Sequence, residues 1–437
     1  MRAYRNSILL VIWAAFAAVS TFANVLASSE PQRVKWPNKT IRIAVSTSLL
    51  RPNVNIKANS DVEAALRRSL QKWADAADIE FLQEISDKQN VSPSGVAGDG
   101  VSLITIAQTP ENVLFFLKDS ETASAKTRVF YNRRGFITEA DIVLNPFQQF
   151  STDGTFGTFD LESVLTHEIG HLLGLRHSTV LGAAMLDGMG MNGIFGIREA
   201  GGRSLAESDI ASIRELYGAK SGIDDCCARI NGKLMGAKGR AANNISVWAE
   251  DSETGRVTAQ ITTANDGSFR LGGLRSGNYV LYWKALDDSV KVSYGQLGII
   301  TLEPGVSRSL NAKLVSEQSA LALTQIGFNG QLSEIAVPLD AGRSYTVYLG
   351  GRNLKVKGLE IGFNSPYLSV SKNSIISHDY GSEIQIISFE VNVDPEIPAG
   401  DYSVFVTGSR GEKACLVGGL TVNRHDIASS GDKVLKN

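Results

Sequence analysis

Apolar residues recur at two different spacings along this chain of 437 residues, and the change falls near its middle. In the first half, helical spacing marks Val62, Ala65, Leu66, Leu70, Trp73 and Ala77, and again Leu161, Val164, Leu165, Ile169, Leu172 and Leu173. Asp160 directly precedes the second set and is a residue type suited to cap a helix N-terminus. Residues 101–106 and 140–144 form apolar runs that predict strands. The first half is therefore predicted to combine helices and strands.

The second half shows a period of two instead. A polar linker is predicted over 221–227, and alternating runs follow over 244–250, 265–271 and 274–281, then 345–349, 389–393 and 398–406. Turns rich in Gly, Asn and Asp separate these runs. Short alternating strands with turns at this spacing predict two β-sandwich domains, over 228–316 and 317–424. The polar tail over 425–437 is predicted to be disordered.

The N-terminus has the pattern of a secretory signal. Arg2 and Arg5 precede an apolar stretch over residues 8–23, and Val25-Leu26-Ala27 offers a small-residue cleavage site. This predicts a signal peptide over 1–27 and a secreted, extracellular protein, or one in the periplasm or at the cell surface. An uncleaved anchor is the alternative, although the apolar stretch is short for a span of about 20 residues. No other stretch could cross a bilayer, so no stable membrane span is predicted after cleavage.

The net charge and the cysteine content limit the partners and the kinds of site that the protein is expected to have. The formal net charge of −2 gives no reason to expect nucleic acid or an anionic membrane as a partner. There are three cysteines, Cys226, Cys227 and Cys415, and an odd number leaves one free or paired with another molecule. A bridge between Cys226 and Cys227, or between one of them and Cys415, is compatible with the sequence. Their spacing is not that of a zinc site.

The chemistry is concentrated in residues 167–177, which read HEIGHLLGLRH. On a helix, His167 and His171 would lie about 40° apart on one face, so both imidazoles could reach one metal ion. His177 would point about 240° away if the helix continued. Gly174 removes this obstacle, because glycine adopts the left-handed conformation that ends a helix and lets the chain turn back.

Three imidazoles and one open position are the ligand set of a catalytic zinc. Glu168 follows His167 directly and could act on a water at the metal. With average residue frequencies, the full HExxHxxGxxH pattern is expected by accident in a chain of this length on the order of once in 10⁵. Solvated histidines on an amphipathic helix are the alternative explanation, and it requires three accidental histidines around one site.

Met185, eight residues past His177, completes a pattern that resembles the metzincin metallopeptidases. Ser178 after the third histidine and the segment 207–218, ESDIASIRELYG, resemble the matrixin branch, as do Trp36 and the run 41–45. The likeness covers about residues 35–220. It implies an α+β catalytic domain, over 28–220, with a twisted mixed sheet and long helices. It also implies that Met185 packs beneath one catalytic zinc, and that the substrate extends along an edge strand, with 129–131 and 137–144 as the two candidates.

The chain departs from the matrixin pattern in places. His378 and His425 lie far outside the motif and are predicted to be solvated surface residues, so no second, structural zinc is expected. Bound calcium is left open. No cysteine precedes the motif, and therefore no cysteine-switch latency is expected. Leu186 and Asp187 follow Met185 where an aromatic residue or proline is usual, which leaves the shape of the specificity pocket open.

In the second half, the pattern DGSF…GNY over 265–279 resembles the carboxypeptidase regulatory-like, transthyretin-like modules. The last unit resembles an immunoglobulin-like sandwich at the level of fold. Neither contains a reactive constellation. Both are therefore predicted to tether the protein or to bind a surface or matrix, and removal of everything after Gly218 is predicted to leave cleavage of small peptides intact.

The prediction is a secreted zinc metalloendopeptidase acting on proteins or peptides. In this hypothesis His167, His171 and His177 bind one zinc, and Glu168 is the general base for a metal-activated water. One alternative is a secreted or surface adhesin with a non-catalytic metal domain. Glu168 argues against it, because a structural zinc fills its fourth position with protein. A second alternative is a zinc hydrolase that acts on a non-peptide bond.

Overall fold

The computed structural model describes residues 33–93, 97–118, 120–197, 202–236, 239–286, 294–314, 319–381 and 384–422. The predicted signal peptide over 1–27 and the predicted disordered tail over 425–437 lie outside these residues. Within the described ranges, the helices are all too short or too polar to traverse a lipid bilayer.

The N-terminal region, residues 33–218, is built on one mixed sheet. Its strands are β1 Thr40–Ser46, β2 Glu80–Ser86, β3 Leu103–Thr105, β4 Ala125–Tyr131 and β5 Ile137–Leu144. They lie in the order β2-β1-β3-β5-β4; β4 is antiparallel to β5, and the other pairs are parallel. Of the two candidate edge segments, β4 is the edge strand, whereas β5 lies inside the sheet between β3 and β4. A short parallel pair follows, β6 Phe150–Ser151 and β7 Phe159–Asp160.

The helices of this region are α1 Thr47–Leu50, α2 Val62–Ala76, α3 Pro110–Leu114, α4 Leu161–Leu172 and α5 Glu207–Tyr217, with a 3-10 turn at Ile194–Gly196. The side chain of Asp160 accepts a hydrogen bond from Ser163 N at 2.8 Å, which confirms the predicted cap. The predicted apolar stripes of α2 and α4 share one buried core with the sheet. Trp73 on α2 is fully buried there and donates from Nε1 to Thr166 O on α4 at 2.9 Å. This contact joins the two long helices.

The first β-region, residues 226–314, has two sheets. Its strands are β8 Cys226–Met235, β9 Ile245–Asp251, β10 Val257–Thr262, β11 Ser268–Arg275, β12 Gly277–Ala285, β13 Tyr294–Leu302 and β14 Ser307–Lys313. One sheet has the order β10-β9-β12-β13 and the other β11-β8-β14. Inward-facing residues of both sheets form one hydrophobic core, which is why the strands alternate in sequence.

The second β-region, residues 319–422, also has two sheets around one core. Its strands are β15 Ala322–Phe328, β16 Gln331–Ser333, β17 Val337–Leu339, β18 Ser344–Arg352, β19 Glu360–Gly362, β20 Leu368–Val370, β21 Ile376–His378, β22 Gln385–Val393, β23 Gly400–Thr407 and β24 Lys413–Val422. The larger sheet has the order β16-β15-β18-β22-β20, with β21 also on β22, and the smaller one β17-β24-β23-β19.

The cysteines adopt one of the arrangements that the sequence left open. Cys226 and Cys227 form a disulfide with each other, and Cys415 is free and buried. Cys226 and Cys227 also belong to β8, which pairs with β11 through Cys226 and Arg275. The predicted linker over 221–227 was therefore too long at its C-terminal end, because sheet pairing begins at Cys226.

Candidate metal centre

Helix α4 presents two of the three predicted ligands. Its apolar residues are buried against the sheet and α2, so the helix cannot rotate without losing its core contacts. His167 and His171, one turn apart, have ring centroids 4.7 Å from each other. Gly170 lies between them, and a Cβ there would fall 2.2 Å from Met185 Sδ. The helix therefore needs this glycine where it packs on Met185.

The helix ends as the sequence predicts, at Gly174. Its φ is +94°, in the left-handed region. Gly174 N donates to His171 O and Leu175 N donates to Gly170 O, both at 2.9 Å, and this pair of bonds defines a Schellman motif. A Cβ on Gly174 would meet Val34 O at 2.0 Å. Both the backbone conformation and the neighbouring chain therefore require glycine.

The turn returns His177 to the other two imidazoles. The Nε2 atoms of His171 and His177 are 3.0 Å apart, and the ring centroids of His167 and His177 are 5.3 Å apart. Ligand atoms of the three histidines all lie within 4.8 Å of one another. A tetrahedral zinc with bonds of 2.0–2.1 Å separates its ligand nitrogens by about 3.3 Å. The three side chains are thus arranged around a space that suits a single ion.

Backbone carbonyls fix which ring nitrogen of each helical histidine carries the proton. His167 Nδ1 lies 2.8 Å from Ala184 O, and His171 Nδ1 lies 2.9 Å from Leu175 O. Because a carbonyl only accepts, both Nδ1 atoms must donate, and each Nε2 then offers a lone pair to the shared space. Burial lowers the pKa of both imidazoles to about 4, so both are neutral near pH 7, as metal ligands must be.

The third histidine is held differently. The side chain of His177 is 43% exposed, and its Nδ1 lies 3.4 Å from Asp187 Oδ2. A carboxylate beside the outer nitrogen of a ligating imidazole orients the ring and makes it a stronger ligand. The carboxylate of Asp187, two residues after Met185, lies in this position relative to His177.

Glu168 is buried beside the histidines, only 4% exposed. Its Oε2 accepts a hydrogen bond of 2.5 Å from Thr127 Oγ1, and the same hydroxyl lies 3.1 Å from Glu168 O. Burial raises the pKa of this carboxyl, while the Thr127 hydrogen bond and the nearby His171, when that imidazole is protonated, oppose the rise. Thr127 lies on edge strand β4, so this hydrogen bond ties the carboxylate to the edge of the sheet.

Met185 is 2% exposed and packs against Gly170 of α4, between the two helical histidines. Its carbonyl accepts from Ser178 N at 2.7 Å. On the other side, Asp209 at the start of α5 accepts from Ala184 N at 2.7 Å and from Met185 N at 3.3 Å. Burial raises the pKa of Asp209 to about 6. Since Ala184 O holds His167, Asp209 supports the metal site through the methionine turn.

Sequence reasoning missed Thr127 and Asp209, and it noted Asp187 only as a departure from the matrixin pattern. Thr127 and Asp209 lie far from the motif in the chain, and the acidic residue at the third helical position of α5 was the one local signal available. His378 was predicted to be a solvated surface residue, but it is half-buried in strand β21. Its Nε2 lies 2.7 Å from Ser388 Oγ, and its ring stacks on Tyr380. His425 lies outside the described residues.

The donor set fits zinc: three imidazole nitrogens converge, no protein group closes a fourth position among the described residues, and a carboxylate adjoins them. A helix that supplies two histidines, a left-handed glycine that returns a third, and a methionine turn beneath them define the metzincin class of metal centre.

Comparison of this chain with known protein families and proteins identifies the branch of the metzincin class that it resembles. The matrixin family model matches residues 119–218. Metalloendoproteinase 5-MMP of Arabidopsis thaliana is 45% identical over 207 residues, 44% of this chain and 48% of that protein. Metalloendoproteinase 4-MMP of the same plant is 28% identical over 168 residues, 36% and 42%. The interstitial collagenase of Oryctolagus cuniculus is 27% identical over 161 residues, 37% and 29%. The chain thus carries a matrixin-like metzincin catalytic domain.

The chain spans less than half the length of each of these relatives. After residue 218, the described residues form β-strands in several sheets and no helix. Among solved structures, the major pilin subunit BcpA of Bacillus cereus aligns with 45% of this chain and 69% of its own at 11% identity. Its TM-score of 0.18 supports no argument about fold or function.

Proposed function

We propose that the protein is a secreted, zinc-dependent endopeptidase. The observation that carries this proposal is the convergence of His167, His171 and His177 with Glu168 beside them. Zinc held there would act as a Lewis acid on a water and on the scissile carbonyl. Burial keeps the two helical imidazoles neutral, and their Nδ1 hydrogen bonds aim the Nε2 atoms, so the ligands need little reorganisation on binding the ion.

Glu168 is the proposed general base. Its carboxylate takes a proton from the attacking water and delivers it to the leaving amine nitrogen, so one residue serves both steps. Burial makes this carboxyl a stronger base than a solvated glutamate, and Thr127 holds one oxygen so that the other is free to receive the proton. A cation among the imidazoles would favour the charged carboxylate and keep it ready at neutral pH.

The exposed edge of the sheet is the proposed binding site for the substrate. β4 pairs with β5 on one side, and its other side faces no strand among the described residues. An extended peptide can add to such an edge through main-chain hydrogen bonds. Because Thr127 belongs to β4 and touches Glu168, a peptide bound along β4 would pass close to the general base. We therefore propose proteins or extended peptides as substrates.

The regions outside the catalytic domain complete the proposal. We assign a cleaved signal peptide to 1–27, the peptidase to 28–220, a transthyretin-like β-sandwich to the first β-region and an immunoglobulin-like one to the second. The two-sheet arrangement around a single core in each supports these assignments. The matrixin match supports an extracellular location, since proteases of this class act mainly outside cells.

A gel assay with casein or gelatin, run with and without a chelator, tests the activity. We expect clearing that the chelator abolishes and zinc restores. Glu168→Gln should keep one zinc per chain by elemental analysis and lose about 10²–10⁴-fold in kcat/KM. Glu253→Gln, on an exposed turn of the first β-region, is the matched control and should cleave normally.

Three outcomes would contradict the proposal. Cleavage by Glu168→Gln at the wild-type rate would remove Glu168 as the base. Zinc binding and matrix binding without any clearing would favour the adhesin. Clearing that a chelator leaves unchanged would exclude a metal-dependent peptidase altogether.

A further inference from the structure

The segment that follows the third histidine is held from outside the catalytic domain. We call residues 178–186 the ligand loop, because it runs from His177 to the methionine turn. Its centre, Val180, is completely buried. The cluster that buries it has three sources: the N-terminal region supplies Val180, Ala183 and Ala206, the first β-region Trp248, Val257 and Tyr282, and the second β-region Cys415 and Val417. The ligand loop is therefore packed inside a three-way junction.

Backbone hydrogen bonds tie the loop to the second β-region. Leu181 N donates to Val417 O on β24 at 2.9 Å, and Ala336 N donates to Leu181 O at 3.2 Å. Gly418, next to Val417, has φ +62°, and a Cβ there would fall 2.4 Å from Val180 Cγ1. The close approach of β24 to the loop thus depends on a glycine.

The first β-region holds the loop through side chains. Thr179 Oγ1 and Ser246 Oγ on β9 are 2.7 Å apart, and Gln260 Nε2 on β10 donates to the same Ser246 hydroxyl at 3.1 Å. Ser178 Oγ lies 3.4 Å from Gln260 Oε1. These contacts begin at the residue directly after His177.

A second anchor lies further along the chain. Phe195 is completely buried and belongs to the core of the second β-region rather than to that of the catalytic domain. Its backbone N–H donates to Gln331 Oε1, and its carbonyl accepts from Asn329 Nδ2 at 2.8 Å. In the chain, Met185 lies between Val180 and Phe195, which are both buried against residues of the β-regions. The segment that contains Met185 is therefore held in place on both sides.

From these contacts we propose that the two β-regions are part of the scaffold of the metal centre, and that the junction around Val180 positions His177. Only two residues lie between His177 and Val180, so the three-residue step spans at most about 10 Å and the chain can absorb little displacement. Metal ligands tolerate errors of about 0.2 Å in bond length. This inference rests on the proposed zinc site. It also opposes the expectation that the chain after Gly218 is dispensable for cleavage of small peptides.

The test uses the full chain and two glycines of the second β-region. Gly418→Ala places a methyl group against Val180. Gly411→Ala is the matched control, because its φ is +82° and a Cβ there meets no atom within 4 Å. In both variants alanine must adopt a left-handed backbone conformation, but only the new methyl group of Gly418→Ala contacts the ligand loop. The measurement is the zinc dissociation constant, by competition with a chromogenic chelator, alongside the melting temperature of the zinc-free protein.

We expect Gly418→Ala to bind zinc about 10- to 100-fold more weakly than wild type, the range seen when support behind a ligand is lost, and Gly411→Ala to stay within about twofold. Equal zinc affinity in the two variants would overturn the inference and leave the proposed function standing. If the wild-type protein itself binds no zinc, the proposed function fails first.

Should Gly418→Ala fail to fold, the hydroxyl pair gives a milder variant. Thr179→Val removes the bond to Ser246 at constant shape, and Thr258→Val, whose hydroxyl bonds Ala249 O within the first β-region, is its control. We expect weaker zinc binding and a lower kcat with an unchanged KM for Thr179→Val, and neither for Thr258→Val. The same zinc affinity in both would refute the positioning role.

Discussion

Replacement of Gly174 by alanine tests the geometry of the metal centre most directly. The new Cβ would occupy a residue at φ +94°, which costs a non-glycine residue roughly 1–2 kcal/mol. It would also lie 2.0 Å from Val34 O, so the chain must open by more than about 1 Å to restore van der Waals contact. That movement breaks the two Schellman hydrogen bonds, each worth about 0.5–1.5 kcal/mol. The expected loss in the free energy of unfolding is about 2–5 kcal/mol.

The same movement displaces Leu175 O, the acceptor that orients His171. Zinc affinity should therefore fall by about 10- to 100-fold. The assay is urea unfolding of the zinc-free protein by tryptophan fluorescence, followed by a zinc titration. Gly157→Ala is the control, since its φ is +73° and its Cβ meets no atom within 4 Å, so it should lose only about 1–2 kcal/mol and bind zinc normally. If Gly174→Ala were no less stable than Gly157→Ala and bound zinc equally, the reasoning from the glycine turn would be refuted.

Three further predictions concern groups around the site. Thr127→Val should lower kcat about tenfold with zinc content unchanged, because the Glu168 carboxylate loses its 2.5 Å donor; an unchanged kcat in peptide hydrolysis would contradict this. Asp209→Ala should lower the melting temperature and weaken zinc binding, since Ala184 N and Met185 N lose their acceptor; zinc titration and calorimetry would show it, and a loss of stability alone would limit Asp209 to the fold. Asp401 is buried, and burial raises its pKa to about 7, so its contribution to stability is fully present below about pH 4 and is lost as the pH rises through 7. Asp401→Asn should therefore melt higher than wild type at pH 8 but not at pH 4.5, and an equal shift at both pH values would rule out this titration.

Local sequence patterns were sufficient to predict those features that depend only on interactions between residues close in the chain. The apolar period predicted α2 and α4, Asp160 predicted the start of α4, and Gly174 predicted its end. Helix capping, periodicity and left-handed glycine depend on neighbours within a few residues, so they can be inferred without the fold.

Contacts between segments that are distant in the chain could not be predicted from the sequence. Thr127 meets Glu168 across 41 residues, because the fold places β4 beside α4. The vicinal disulfide could not be chosen over a bridge to Cys415, since the choice depends on which cysteines the sheets bring together. The same holds for His378, whose strand pairing with β22 was not visible in its short segment.

The amino-acid sequence alone predicted that three imidazoles, one carboxylate and a methionine turn belong to a single metal centre, because their spacing along a helix and a glycine turn leaves few other geometries. Tertiary structure alone decided what holds that centre in place: Thr127 from the sheet edge, Asp209 from the last helix, and Val180 enclosed by both β-regions. The physical reason is that ligand spacing is a property of one short segment, whereas burial and support come from residues that only folding brings near it.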